Sequence, residues 1–225
     1  MLSPLFESRM LGSIALSNSI VMAPMTRDRA SARDVPGDLM VEYYRQRASA
    51  GLIVTEGVQP SADGKGYWRT PGIWSDEQIA GWSRVADGVH REGGRIVMQL
   101  MHCGRVCVRA NKGDTSRTVA PSAIACADLV PGPDGVPVAT EMPEPLTTAE
   151  VRRVVDEFAS AAANARDAGL DGVELHCASG YLPNQFLNPG SNRRTDRYGG
   201  SAENRIRFAV EILKAMADTI GARSE

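Results

Sequence analysis

Two of the three histidines, His102 and His176, close apolar, β-prone runs, RIVMQLMH and GVELH. Tyr181 follows His176 beyond a Ser179-Gly180 turn. That spacing brings a phenol near the imidazole at the mouth of a strand, where it can give a proton to developing carbanion character. Glu56 ends LIVTE and Gln99 lies within RIVMQL. A carboxylate there can act as a base, and a glutamine offers both donor and acceptor to the edge of a heterocycle. Each residue also has a purely structural role open to it. The histidines can be core residues bonded to a carbonyl, Tyr181 can be packing, Glu56 can pair with an arginine or cap a backbone group, and Gln99 can be a satisfied buried amide.

A metal-based chemistry is poorly supported. His102-Cys103 and His176-Cys177 place imidazole beside thiol, but adjacent residues on an extended segment point to opposite faces, so each pair supplies one ligand at most. Cys103 and Cys107 stand four apart with no second pair to complete a zinc set. No metal ligands are therefore expected. GxGxxG and GxxxxGK[ST] loops are absent, so no local phosphate motif announces a nucleotide. Gly199-Gly200 precedes a helix but is a weak phosphate cradle. Arg194, Asp196, Arg197, Glu203 and Arg205 are expected to form a salt-bridged collar around that helix start.

The elements that must carry these residues alternate. SIVMAP (19–24), LIVTEG (52–57), RIVMQL (95–100) and GVELH (172–176) read as strands, and the first three are followed by helical patterns around 39–50, 76–92 and 147–168. Such alternation implies parallel strands joined by helical crossovers, in which ligands gather at the carboxyl ends of the strands. Ser75 with Gln78 and Thr147 with Glu150 have the pattern of capping boxes at helix starts. A last helix spans about 203–220. Ahead of the first strand, short apolar pieces around Gly12 suggest a β-hairpin able to close the bottom of a barrel. The long, Pro- and Gly-rich stretch 101–146 exceeds an ordinary connection and reads as a lid or capping element.

With 225 residues, 43% of them hydrophobic, and a formal charge of -2, the chain is an ordinary globular protein with no footprint for nucleic acid or an anionic membrane. Four cysteines fit reduced thiols, and the N-terminus lacks the basic start and apolar core of a signal peptide, so a cytoplasmic location is expected.

Five stretches together resemble the old yellow enzyme family of FMN-dependent NAD(P)H:flavin oxidoreductases, the ene-reductases: LGSIALSNSIVMAPMTRDRA (11–30), LIVTEG (52–57), PGIWSDEQIAGW (71–82), MQLMHCGR (98–105) and VELHCASGYLPNQFLNPGSNRRTDRYGGSAENRIRF (173–208). The resemblance implies an α/β fold of the (β/α)8 TIM-barrel type, with FMN across the carboxyl ends of the strands and NAD(P)H as reductant. By it, Pro24 and Met25 place backbone against the flavin, Thr26 donates towards its C4 carbonyl, Gly57 lines the ring and Gln99 bonds the pyrimidine edge. His176 would hold the carbonyl oxygen of an activated alkene, lying against the cofactor as well, while hydride from flavin N5 reaches the β-carbon and Tyr181 protonates the α-carbon.

Two departures stand out. The family's second carbonyl-binding position, usually histidine or asparagine, is Ser179, and losing one well-placed donor can cost about 3 kcal/mol of barrier. Also, such a barrel needs about 250 residues before insertions, whereas only about four βα units are counted across 1–225. The expectation is therefore the N-terminal portion of an FMN-binding barrel, lacking the second-half arginine near flavin N1 and the phosphate loops. Activity would need self-association or a complementing C-terminal half; the alternative is a non-catalytic fragment that does not hold FMN alone.

Overall fold

In the computed structural model, which describes residues 3–113 and 116–221, the chain forms one open parallel sheet with helices on a single side. After an antiparallel hairpin, β1 (Arg9–Leu11) and β2 (Ile14–Leu16), come β3 (Val21–Met22), α1 (Asp38–Arg45), β4 (Leu52–Val54), α2 (Asp76–Arg91) and β5 (Ile96–Leu100). The excursion between β5 and α3 (Thr148–Asp167) carries four short strands, β6 (Val119–Ala120), β7 (Leu129–Pro131), β8 (Pro137–Ala139) and β9 (Glu144–Pro145). β10 (Gly172–Leu175), α4 (Leu182–Leu187) and α5 (Ala202–Ile220) complete the described chain.

The strand order β10-β5-β4-β3 follows the chain without reversal, and every pairing is parallel. A doubly wound sheet would reverse direction and put helices on both faces; a sheet that never reverses keeps its helices on one face and curls as the arc of a barrel. Alternation along the strands separates the two faces. Ile53, Ile96, Met98 and Leu100 join the main core with Trp82, Phe158, Phe208 and Tyr44 from the helical layer. Leu52, Val54 and Val97 face the other way and pack on Leu16 and Ile14 of the hairpin, which thus plugs the amino-terminal end of the inner face. Farther along that same inner face stand Gln99 and, in register with it, Glu174. The inner face is apolar at its plugged end and polar at its mouth.

Both capping boxes form, each with the side chain and backbone bonds paired reciprocally. Differences from the sequence reading lie where local pattern is short. β3 contracts to two residues, and α1 stops at Arg45 with turns to residue 49. α4, only six residues long, and β6 to β9 were not foreseen. The collar forms only in part: Arg194 pairs with Asp196 at 2.5 Å, but Arg197 reaches Glu211 on α5 at 2.8 Å and Arg205 donates to the carbonyls of Leu187 and Gly200. Gly199 serves packing, since a Cβ there would lie 2.2 Å from the Arg194 carbonyl oxygen.

Candidate functional site

Four neighbouring strand ends present the residues singled out in the sequence. Pro24, Met25 and Thr26 lie just beyond β3, Gly57 beyond β4, Gln99 near the end of β5, and His176 one residue past β10. Main-chain bonds knit these ends: Val58 N–H to the Gln99 carbonyl, Met101 N–H to the Val58 carbonyl, and His176 N–H to the Leu100 carbonyl.

On the β10 side the geometry is specific. Ala178 N–H donates to His176 Nδ1 at 3.2 Å, so the neutral ring carries its proton on Nε2, and half-burial lowers the imidazole pKa by desolvation. His176 is thus a neutral N–H donor at the mouth. The Tyr181 ring stands edge-on to it, 4.8 Å between centroids. Tyr181 is the residue that caps α4, with an extended ψ of 175°, and the first turn of that helix is tied down by the Leu182 N–H bond to the His102 carbonyl. Gln185 of α4 adds bonds to the carbonyls of Cys103 and Gly180. The Tyr181 hydroxyl lies 3.0 Å from that of Tyr67. Burial, with the Cys103 thiol and Tyr67 adding to it, pushes the Tyr181 phenol far above its usual pKa, so it stays a proton donor. Val106, Val108 and Val130, all from the excursion 101–146, cover this tyrosine pair together with Cys126.

Ser179 lies in the same turn, exposed, at φ +56°. That left-handed backbone suits asparagine better than serine. Gln99 commits one amide N–H to Glu174 at 2.5 Å, and among the described residues its carbonyl oxygen and second N–H take no other partner, the alternation that a pyrimidine edge requires. A Cβ at Gly57 would come within 2.5 Å of the Met101 side chain, so glycine keeps the ends of β4 and β5 close. Met25 is 45% exposed and Pro24 and Thr26 are exposed with it, an open ledge of backbone above the polar mouth. These features fit a flat, hydrogen-bonding heterocycle resting at the strand ends: an open ledge, an amide with donor and acceptor unspent, and a glycine where bulk is excluded.

The strand-end histidine His102 does not join them. His102 is fully buried, its Nδ1 accepts Gly104 N–H at 3.1 Å, and its ring faces Phe158 of the helical layer. Desolvation lowers its pKa to about 3. It is a core histidine, on the opposite side from the mouth. Among the described residues, no group of three or more His, Cys, Asp or Glu is placed to hold a metal ion, and no helix is long and apolar enough to cross a membrane.

Tyr67, Glu174 and Gln185 escaped the sequence reading. Tyr67 carried one usable signal: an aromatic in GKGYW, a glycine-rich loop following the carboxyl end of a strand, is where ligand contacts concentrate.

The sequence profile of the NADH:flavin oxidoreductase / NADH oxidase family matches residues 4–224. A protein of Leishmania infantum described as "Probable flavin mononucleotide-dependent alkene reductase" is 43% identical over 226 residues, covering 98% of this chain and 60% of its own length. Among solved structures, morphinone reductase in complex with tetrahydroNAD is 46% identical with a TM-score of 0.91, covering 98% of this chain and 62% of that one. The old yellow enzyme homologue from Zymomonas mobilis is 41% identical with a TM-score of 0.93, over 97% and 61%. The chain therefore spans less than two thirds of the length of the relatives it matches, and its sheet is part of a (β/α)8 barrel. This chain belongs to the NADH:flavin oxidoreductase / NADH oxidase family, whose cofactors are FMN and a nicotinamide reductant.

Proposed function

We propose that residues 1–225 form the substrate half and part of the cofactor ledge of an FMN-dependent reductase acting on the C=C bond of α,β-unsaturated carbonyl compounds, with NAD(P)H as reductant. The observation that carries this reading is the pairing of a neutral histidine N–H with a phenol held in the protonated state, set side by side at a barrel mouth. FMN, when bound, supplies the redox chemistry between NAD(P)H and the alkene. Pro24, Met25, Thr26, Gly57 and Gln99 would hold it, with His176 bordering it.

The chain's own residues do the rest. Nε2–H of His176 donates to the substrate carbonyl oxygen, withdrawing density from the conjugated double bond and stabilising the charge that collects on that oxygen. Tyr181 gives its proton to the α-carbon. Tyr67 donates to the phenolate left at Tyr181, spreading the charge over a hydrogen-bonded pair. Ser179 would offer a second, shorter donor to the carbonyl. The excursion 101–146 caps the site by covering the tyrosines, and it is pinned through Lys112 Nζ and Arg117 N–H, both bonded to Asp63.

β3 and β10 are the edges of the sheet, and Ile206, Val210 and Leu213 form a half-exposed apolar stripe on α5. These surfaces offer pairing and packing to complementary strands and helices, from a C-terminal half or a second copy, and such a partner would complete the grip on the cofactor. Turnover of 2-cyclohexenone with NADH or NADPH tests the reading. Saturated ketone is expected from the chain supplied with FMN and a complementing half, and a loss of about 10²–10⁴-fold in Tyr181→Phe with reduction of the flavin intact. Equal rates for the two proteins would refute it.

A further inference from the structure

Glu56 is 1% exposed and lies just past the end of β4, yet among the described residues no cationic side chain forms a salt bridge with it. Its Oε2 accepts Arg27 N–H at 3.1 Å, and its Oε1 accepts the Tyr44 hydroxyl at 3.3 Å. The same hydroxyl accepts the Glu56 N–H at 2.9 Å, so Tyr44, itself fully buried on α1, holds the carboxyl and its own backbone together. The Arg27 guanidinium is elsewhere, 4.9 Å from the centre of the Tyr43 ring. A buried carboxyl spent on one backbone amide is costly to keep unless that amide matters.

Arg27 directly follows Pro24-Met25-Thr26. From 23 to 29 the segment is exposed, with Asp28 at φ +53°, and its next main-chain tie is Ala30 N–H to the Arg69 carbonyl. Among the described residues, the Glu56 bond is therefore the hydrogen bond that ties the segment following the ledge to the barrel before Ala30.

We propose that Glu56 is a positioning residue: its ionised carboxylate clamps Arg27 N–H and so sets the height of the 24–26 ledge, and protonation of the carboxyl releases the ledge. What the ledge grips rests on the flavin reading above; the clamp itself does not. The groups facing the carboxyl are Arg27 and Asp28 from the ledge and Tyr44 from α1. Burial raises the carboxyl to about 7, against the Arg27 amide, the Tyr44 hydroxyl and the Arg27 charge, which lower it, and with Asp28 adding to the rise. An ionised carboxylate accepts the amide more strongly than a protonated one, which must turn one oxygen into a donor. The clamp therefore closes as pH rises through neutrality.

The test has two arms, both on the full chain. In the first, riboflavin is titrated by fluorescence quenching from pH 6 to 8; it lacks the phosphate of FMN, whose own ionisation near pH 6 would confuse the window. Affinity should rise about tenfold across that range in the wild type and stay level in Glu56→Gln, as expected for one linked proton. The second arm follows amide hydrogen exchange of the peptide containing Arg27 in the flavin-free chain, corrected for the intrinsic pH dependence of exchange. Protection should grow from pH 6 to 8 in the wild type, and Tyr44→Phe should move the midpoint upward by removing a donor to the carboxylate. Should riboflavin fail to bind at every pH while exchange behaves as described, the clamp stands and the flavin reading falls. Level exchange in the wild type, an unmoved midpoint in Tyr44→Phe, or a rise in affinity preserved in Glu56→Gln overturns the clamp.

Discussion

The two sides of the barrel mouth are built differently. On the β10 side, His176, Tyr181 and Tyr67 are fixed by a capped helix, a histidine tautomer set by the backbone, and glutamine bonds across from α4. On the β3 side, the ledge 24–26 is open, follows a two-residue edge strand, and is tied to the core by the bond to Glu56. The first arrangement is preorganised within this chain, and the second is adjustable. A site that must hold a substrate carbonyl within hydrogen-bond reach gains from rigid donors, since their orientation is settled before the charge develops. A ledge against a large flat ring can instead be completed by surrounding elements.

The most disruptive way to probe that contrast is to neutralise the adjustable side. Glu56 is raised by burial from the ordinary carboxylate range to about 7. The folded protein then binds more protons than the unfolded chain between about pH 4.5 and 7, so stability falls as pH rises through that window and is level above it. The full effect is on the order of 3 kcal/mol. Urea unfolding at pH 5 and 7.5 should show this fall in the wild type and a correspondingly smaller one in Glu56→Gln; identical falls would mean that Glu56 titrates normally.

A smaller effect sharpens the rigid side. Ser179 sits at φ +56°, where asparagine is at ease, and an asparagine amide reaches farther than a hydroxyl. Ser179→Asn should raise kcat/KM for 2-cyclohexenone by about tenfold, the value of one added hydrogen bond to a charged oxygen. No gain in the steady-state rate would show that carbonyl activation rests on His176 alone.

How much of this could be read in the sequence follows from the range of the signals involved. Ser75 with Gln78 and Thr147 with Glu150 announced helix starts because the partners lie within four residues of each other. The apolar runs ending in Gln99 and His176 gave the parallel strands, and the strict chain-order sheet matches the barrel that the resemblance implied. Strands such as β6 and β9, two residues each, have no periodicity to read, and α4 is too short to show a face. His102 looked equivalent to His176, but the inward or outward sense of a side chain is lost once a strand ends, and only packing against Phe158 reveals it as core. Tyr67 and Tyr181 are separated by 114 positions, so their shared bond had no local trace. The Glu56 clamp was half legible: capping a backbone group was among its foreseeable roles, but not that the group belongs to the ledge.

The most direct measurement of the central claim is equilibrium dialysis of the purified chain, alone and with a complementing C-terminal half, against FMN, read by the flavin absorbance retained. Saturable binding at one FMN per chain is predicted, with a visible spectrum displaced from that of free flavin because the ring lies against ordered donors. A folded chain that retains no flavin over the same concentrations, both alone and with the complementing half, would contradict it.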